Sequence, residues 1–476
     1  MALYRTTWII GLLGIVPLVQ SAKISRPLFL SPYLEKGLIQ EARKDSRVHL
    51  PRFSELESYS GFITVDKTFG NHLFFWFFPS SQRTGGPLTI WLNGGPGVSS
   101  MFGLLWENGP LQASANESHI DMTLRGHSWA RPFSMLYIDN PVGVGYSFTE
   151  KRADGERVTM EGVTKDLYSF IEQFYKMFPE YKVRPLYIGG QSYAGKYVPS
   201  FAHHIDRQIR DRPLAGIHIG GAFFDPPVQS PAYFEYLYSM GSISFGQMMH
   251  YKREISELIR QIKNGELDVT YMSEIIGVLL PKVGLSNPDN YVESRQNGYW
   301  VVSEIMSSRN LREAVHVGAR HFSVFNDDLM ERFGAEVFVS QKPSLAELMD
   351  RYKVLLHSGD YDVIVSSAMV EAALMTTPWS LQGEYNTTRW SAWWSAEGKL
   401  RGFYSKTGKL CRVVVKGAGH QTPHDQPEAA LEMMVQFVDH GCIIERNRAP
   451  KRRFHRRKPN CTAKMSSSRD CNLPIL

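Results

Sequence analysis

The chain has 476 residues, 43% of them hydrophobic, and a formal net charge of +6. This length allows one large α/β domain with an insertion, or two domains, and buries a substantial core. No internal repeat is present, which excludes a solenoid or a propeller.

The first 22 residues have the form of a signal peptide. A charged start that ends at Arg5 is followed by an apolar run over 8–19 and by the small residues Ser21 and Ala22. A membrane anchor is the alternative, but this run is shorter than the roughly 20 apolar residues that span a bilayer. We therefore expect a secreted or lysosomal protein without a membrane span. Three glycosylation sequons agree with this route: Asn116, Asn386 and Asn460.

Apolar runs that end in turn residues predict the strands of a sheet covered on both faces. In the first half of the chain they are 61–66, 72–79, 87–97, 133–143, 185–192 and 216–227. Helical periodicity over 161–178 lies between two of them and predicts a right-handed crossover. The first part of the core is therefore predicted over 23–227.

The strand pattern disappears over 228–318, where 251–262 and 273–283 have helical periodicity. We interpret this segment as a mainly helical insertion. Strands return at 352–365 and 409–423, and 427–440 predicts a closing helix. The second part of the core is predicted over 319–442.

The cysteines and most of the positive charge lie near the C-terminus. Because all four cysteines fall there, disulfides cannot hold the main body together; the sequence does not choose between pairings such as Cys411 with Cys442 and Cys461 with Cys471. Residues 443–476 contain ten Lys/Arg and two acidic residues, which predicts a disordered basic tail. Proteolytic trimming is its simplest interpretation; charge alone predicts weak polyanion binding, and no nucleic acid is required.

A serine follows the strand predicted at 185–192. In Gly190-Gln191-Ser192-Tyr193-Ala194, a strand-turn-helix corner presents the hydroxyl between small flanking residues, close to the amides of a helix start. A serine nucleophile needs a base and a group that orients the base. A surface turn after a buried strand gives the same local pattern, so the corner alone is weak evidence.

Chain order supplies the missing partners. Asp360 and Asp362 follow one later strand and His420 follows another, which is the Ser, Asp, His order of α/β-hydrolases. We favour His420 over His424 because it directly follows the strand and a flexible Gly-Ala-Gly stretch, whereas His424 lies at a helix start. Both aspartates fall in the same turn, so this pattern leaves the choice between them open.

The stretch 93–100, NGGPGVSS, contains consecutive glycines after a strand, so its backbone amides can approach a developing oxyanion. It lacks the Gly-Lys-Ser/Thr ending of a phosphate-binding loop. His203 and His204, on the helix predicted after the serine, are better interpreted as surface residues than as metal ligands. We expect no metal and no organic cofactor.

Five ordered motifs together resemble the serine carboxypeptidases, most closely the vitellogenic-like branch, over about 27–440. They are WLNGGPGVSSMFGLLWENGP, MLYIDNPVGVGYSF, GGQSYAGKYVP, HSGDYDVIV and GAGHQTPHDQPEAAL. The resemblance implies an α/β-hydrolase fold: a mixed, mostly parallel sheet with helices on both faces and a helical cap insertion. It also implies release of C-terminal amino acids from peptides through an acyl-enzyme.

The same resemblance assigns roles. Ser192 is the implied nucleophile, His420 the base and acid, and Asp362 the residue that orients it, which decides between the two aspartates. Backbone amides of Gly95 and Tyr193 are the implied oxyanion hole.

Recognition of the substrate's free C-terminus is implied for Asn93, Gly94, Glu107 and the residue before the nucleophile. That residue is an acid in the family and is Gln191 here. Paired carboxyls donate hydrogen bonds only while protonated, whereas an amide donates at every pH. We therefore expect this protein to retain its affinity for peptides nearer to neutral pH than a relative with two acids would. The alternative is that Gln191 marks weakened or lost carboxylate recognition.

Smaller departures concern the pockets. Val98 replaces a frequent cysteine, and Gln421 follows the base where the family has an apolar residue. Phe102, Trp106, Ile364 and Val365 fall near family subsites and suggest apolar pockets. Two competing functions are an esterase or acyltransferase using the same residues, and a secreted binding protein without activity. The sequence makes no prediction of oligomeric state.

Overall fold

The computed structural model describes residues 26–445, apart from 83–84, 117–118, 152–154, 156, 209–213, 267–283, 286 and 294–297. The predicted signal peptide, the helical pattern at 273–283, Asn460, the Cys461/Cys471 pair and nearly all of the basic tail lie outside the described residues.

A large mixed sheet runs through the described part of the chain. The strands are β1 (Tyr59–Asp66), β2 (Asn71–Phe78), β3 (Leu88–Leu92), β4 (Leu111–Asn116), β5 (His119–Leu124), β6 (Ser134–Ile138), β7 (Phe148–Thr149), β8 (Leu186–Gln191), β9 (Leu214–Gly220), β10 (Lys353–Gly359), β11 (Ser391–Trp394), β12 (Leu400–Thr407) and β13 (Leu410–Val415). Their order is β1-β2-β6-β3-β8-β9-β10-β13-β12-β11, with β7 paired to β2 and β4–β5 forming a separate hairpin.

The centre of the sheet is parallel and its edges are antiparallel. Every neighbouring pair from β6 across to β13 is parallel, whereas the pairs outside these strands are antiparallel. Because parallel strands end together, the loops that follow β3, β8, β9, β10 and β13 meet at one edge of the sheet. The predicted mixed, mostly parallel sheet is confirmed.

Helices cover both faces of the sheet. They are α1 (Ser31–Glu35), α2 (Ile39–Ser46), α3 (Ser100–Phe102), α4 (Met160–Met177), α5 (Ala194–Gln208), α6 (Pro226–Ser239), α7 (Phe245–Lys263), α8 (Gly298–Ser307), α9 (Arg309–Ala314), α10 (Asp327–Phe333), α11 (Lys342–Arg351), α12 (Ser367–Met375), α13 (Gln382–Tyr385), α14 (Thr422–Asp425) and α15 (Pro427–His440). Short 3₁₀ turns span Pro51–Phe53, Pro179–Tyr181 and Gly334–Phe338, and a π-helical turn spans Gly103–Asn108.

Strand β2 shows why both faces need cover. Leu73, Phe75 and Phe77 belong to one buried apolar cluster, whereas Phe74 and Trp76 belong to another. Since successive side chains of a strand point to opposite faces, the sheet separates two cores. Helix α4 buries its apolar face in the first of these cores.

Between β9 and β10 the described residues form helices and turns, and none of those in 228–318 is in a strand. Cys411 and Cys442 form a disulfide that joins β13 to the residues after α15. Within the described ranges, we find no helix of the length and apolarity needed to cross a membrane.

Candidate active site

Ser192 lies at the corner between β8 and α5. Its φ is +63°, in the left-handed region that a non-glycine residue rarely adopts. Its backbone N–H donates to the Gly220 carbonyl at 2.8 Å, and its own carbonyl accepts from Gly195 and Phe223. These bonds to the neighbouring strand and to the start of α5 hold the serine in its strained conformation.

The glycine-rich loop packs directly against this corner. A Cβ at Gly94 would lie 2.5 Å from the Tyr193 backbone nitrogen and 2.8 Å from the Ser192 Cβ, so only glycine allows the approach. Gly95 has a φ of +108°, again a conformation that favours glycine. The loop and the serine corner therefore form one compact unit.

His420 and Asp362 form a buried hydrogen-bonded pair. The distance from His420 Nδ1 to Asp362 Oδ2 is 2.7 Å, and Asp362 Oδ1 accepts from the Val365 backbone N–H at 2.9 Å. Because the Asp362 carboxyl oxygen accepts this bond, Nδ1 carries the proton in the neutral ring, and Nε2 is then the acceptor. Burial of the ring lowers the pKa of His420, but the charge of Asp362 and the bond to it outweigh this effect and raise the pKa.

The three predicted catalytic residues come together around the end of β9. Ser192 is bonded to Gly220, and a Cβ on the next residue, Gly221, would lie 3.0 Å from Asp362 Oδ2 and 3.1 Å from His420 Cε1. Gly221 has a φ of +49°. Its lack of a side chain lets the histidine–aspartate pair lie against the strand that borders the serine.

The alternative candidates have other partners. Asp360 accepts from the backbone N–H groups of Gly417 and Ala418, at 2.7 and 3.3 Å, and so holds the loop that leads to His420. The His424 ring stacks on Trp106 with 4.4 Å between centroids. His203 bonds Glu347, and no cluster of metal-ligating side chains occurs among the residues that the structure describes.

An apolar cavity of about 320 Å³ opens beside Ser192. Gly95 and Tyr193 line it, so the predicted oxyanion-hole residues border the same space as the serine. Its other walls are Pro96, Phe223, Ser230, Tyr233, Phe234, Ile255, Pro288, Val337, Ile364, Val365 and Met369. A side chain with a large apolar surface matches this lining.

Asn93 and Glu107 lie together beneath the glycine-rich loop. Asn93 Nδ2 donates to Glu107 Oε1 at 3.1 Å, and Asn93 Oδ1 accepts from Trp91 Nε1 and the Gly103 N–H, at 2.7 and 3.1 Å. The amide orientation is therefore fixed by its neighbours.

Glu107 projects from the π-helical turn and is almost fully buried. Burial raises its pKa to about 8, and the bond from Asn93 opposes that rise only in part. At neutral pH the carboxyl is therefore mostly protonated and can donate. Its Oε2 has no hydrogen-bond partner among the described residues.

Gln191 has a contact that the sequence did not predict. Its Nε2 donates to the backbone carbonyl of His420 at 2.7 Å, which joins the residue before the predicted nucleophile to the predicted base. Its buried Oε1 has no partner within the described ranges.

A second unpredicted support comes from the insertion. The His420 N–H donates to the Asp289 carbonyl at 2.6 Å, and Gln421 Nε2 donates to Asp289 Oδ1 at 2.9 Å. Asn290 Nδ2 donates to Asp425 Oδ2, which also accepts from the Gly419 N–H. Asp289 and Asn290 lie in a polar loop that has no motif of its own. The only sequence signal for these hydrogen bonds is the presence of amide and carboxyl side chains at 287–290.

The predicted pocket residues and sequons divide as follows. Ile364 and Val365 line the apolar cavity, whereas Phe102, Trp106 and Gln421 line a smaller pocket beside His424.

Asn386 lies on an exposed turn and donates to the Met375 carbonyl at 3.1 Å. Asn116 ends β4.

Comparisons with known proteins agree on one family. A family model described as serine carboxypeptidase matches residues 50–440. A probable serine carboxypeptidase CPVL of Rattus norvegicus is 38% identical, over 87% of this chain and 89% of the relative. A vitellogenic carboxypeptidase of Aedes aegypti is 34% identical, over 87% and 90%.

Among solved structures, a prohormone-processing carboxypeptidase, Kex1, of Saccharomyces cerevisiae has a TM-score of 0.75. It is 22% identical, and the match covers 86% of this chain and 98% of that one. At this identity the similarity supports the fold.

Proposed function

We propose, on the premise that this chain belongs to the serine carboxypeptidase family, that Ser192 is its nucleophile, His420 its base and acid, and Asp362 the residue that orients the base. The observation that carries the proposal is the 2.7 Å bond between His420 and Asp362, which lie against the strand end to which Ser192 is bonded. The chain is a serine-type carboxypeptidase, a hydrolase of peptides.

In the proposed reaction, Ser192 Oγ attacks the carbonyl carbon of the last peptide bond while His420 Nε2 takes its proton. Backbone N–H groups of Gly95 and Tyr193 stabilise the oxyanion. The C–N bond then breaks, His420 gives the proton to the leaving amine, and an ester to Ser192 remains. Water, deprotonated by His420, hydrolyses this ester and releases the shortened peptide.

We assign recognition of the substrate's α-carboxylate to Asn93, Gly94, Glu107 and Gln191. Protonated Glu107 is a buried donor near neutral pH. The Gln191 nitrogen that bonds the His420 carbonyl carries a second hydrogen, which is the donor we propose for the carboxylate. Substrates in this scheme are peptides with a free C-terminus.

Mass spectrometry of a mixed peptide pool tests the activity and the nucleophile together. Wild type should remove C-terminal residues and Ser192→Ala should not. Each peptide is paired with its C-terminally amidated twin. Equal cleavage of both twins would favour an esterase-like enzyme without carboxylate recognition. A lack of any reaction with a fluorophosphonate probe would favour a binding protein.

We further propose that the chain enters the secretory pathway and acts outside the cell or in lysosomes. The signal-peptide pattern of residues 1–22 and the Cys411–Cys442 disulfide support this route. The hydrolase core is assigned to 23–227 and 319–442, and the cap to 228–318. Asn116, Asn386 and Asn460 are the proposed glycan acceptors, and weak polyanion binding is assigned to the tail over 443–476.

A further inference from the structure

Lys196 is a buried lysine one helical turn beyond the serine corner. Its side chain is fully buried, and its Nζ donates to the backbone carbonyls of Glu336 and Val337, the latter at 3.0 Å. The ammonium also lies 5.2 Å from the centre of the Tyr193 ring. Burial lowers the pKa of Lys196 to about 7, and both the ammonium and the neutral amine can donate to these carbonyls.

Two residues that Lys196 contacts border the cavity beside the proposed nucleophile. Tyr193 and Val337 each line it. Val337 lies in the short 3₁₀ turn Gly334–Phe338, which follows α10. The Glu336 carbonyl accepts from Lys196 and also from the Val339 N–H at 3.1 Å, and the Val337 carbonyl accepts from Lys196, so the lysine joins this wall of the cavity to the helix that follows Ser192.

Other contacts brace the same wall. Glu336 Oε1 accepts from the Met160 N–H at 2.9 Å, and the Phe333 ring meets the Tyr193 ring edge-on at 5.8 Å. These contacts hold the segment near the core, and Lys196 adds a hydrogen bond to the carbonyls of Glu336 and Val337.

We propose that Lys196 is a positioning residue that sets how the enzyme selects the side chain on the acyl side of the cleaved bond, by holding Val337 in the cavity wall. This inference rests on the proposed function, since it takes the cavity beside Ser192 as the site of that side chain. The apolar lining predicts a preference for a large apolar side chain, such as phenylalanine, over alanine.

The test compares two N-acylated dipeptides that share their C-terminal residue and carry Phe or Ala before the cleaved bond. Lys196→Met keeps an apolar stem and removes the ammonium. We expect kcat/KM for the Phe substrate to fall about tenfold, chiefly through KM, and the value for the Ala substrate to change less than about twofold. An unchanged Phe/Ala ratio would overturn the inference.

Lys353→Met is the matched control. Its Nζ also donates to a backbone carbonyl, that of Val438 at 2.7 Å, but it lies outside the cavity lining. Loss of this contact should lower the stability of Lys353→Met and leave its Phe/Ala ratio unchanged. The control thus separates a purely structural effect from a change in selectivity.

Titration with a fluorophosphonate probe counts the folded active sites in each sample. If the Lys196→Met sample contains no folded active sites, the Phe/Ala ratio is measured on Val337→Ala instead, because this variant leaves the lysine and both carbonyls in place. A Phe/Ala ratio lowered about tenfold supports the role of this wall, and an unaltered ratio rejects it. Wild type that cleaves neither dipeptide would instead contradict the proposed function.

Discussion

The side-chain amide of Gln191 is bonded to the backbone carbonyl of His420 at 2.7 Å. The residue that precedes the proposed nucleophile thus supports the segment that carries the proposed base. An acid at the same position could donate to this carbonyl only while protonated. Glutamine therefore makes this support independent of pH.

This relationship predicts the pH behaviour of Gln191→Glu. As pH rises, the introduced carboxyl ionises, loses its donor hydrogen and places a negative charge against a carbonyl oxygen and a substrate carboxylate. We expect the variant to match wild type in acid and to lose kcat/KM progressively towards neutral pH. The measurement is a pH profile of kcat/KM on one peptide.

Gln426→Glu is the control, since Gln426 Nε2 also donates to a backbone carbonyl, that of Gly417 at 2.8 Å. Its profile should keep the wild-type shape. If Gln191→Glu keeps that shape as well, the proposed role of the amide is wrong.

Glu107 predicts a rise of KM in alkali. Burial raises its pKa to about 8, so the carboxyl donates below that pH and is ionised above it. An ionised Glu107 repels the substrate carboxylate, and we expect KM to increase between about pH 7 and pH 9. In Glu107→Gln the increase should disappear, because the amide has no proton to lose. A KM that rises equally in both proteins would exclude Glu107 as its source.

Asp360 and Asp362, the two aspartates in the turn after β10, predict unequal losses of kcat when each is replaced. Asp362→Asn removes the charge beside His420 and allows the wrong tautomer, and we expect kcat to fall by about three to four orders of magnitude. Asp360→Asn removes the charge but keeps an amide oxygen that can accept from the two loop amides, so a loss within about tenfold is expected. Discontinuous activity assays, normalised by active-site titration, measure kcat for both variants. Similar losses of kcat would contradict the assignment of Asp362 as the residue that orients the base.

The buried pair His218 and His357 predicts sensitivity to acid. Both rings are almost fully buried, and burial lowers each pKa to about 3. The unfolded chain binds these protons below about pH 6.5 and the folded chain does not, so the free energy of unfolding falls as pH drops. From pH 6.5 to pH 5, the loss for each ring is about 2 kcal/mol.

Urea unfolding of His218→Gln at these two pH values measures this effect. We expect the difference in stability between wild type and variant to shift by about 2 kcal/mol in favour of the variant at pH 5. His250→Gln, which replaces an exposed ring, serves as the comparison. A constant difference for His218→Gln would mean that this imidazole does not resist protonation.

The sequence predicted those strands that a continuous apolar run marks and those helices that a helical periodicity marks. The apolar runs at 87–97 and 185–192 correspond to β3 and β8, and 427–440 matches α15. The family predicted from the five motifs is confirmed. The β4–β5 hairpin was not predicted, because the apolar residues of β5, Ile120, Met122 and Leu124, alternate with polar ones instead of forming a continuous apolar run.

Contacts between distant segments could not be predicted in the same way. Gln191 and His420 are 229 residues apart, and Lys196 and Val337 are 141 apart. The sequence around each residue does not identify its partner, because these bonds form only once the strand ends and the turn Gly334–Phe338 have been brought together.

The bond from His420 to Asp289 has a practical consequence for engineering. The predicted insertion supplies Asp289 as a support for the segment that carries the proposed base, so it is not a detachable cover. A chimera that grafts another enzyme's cap onto this core to change its substrate range would also replace that scaffold. Such grafts should keep residues 287–293 of the host chain and exchange only the helices around them.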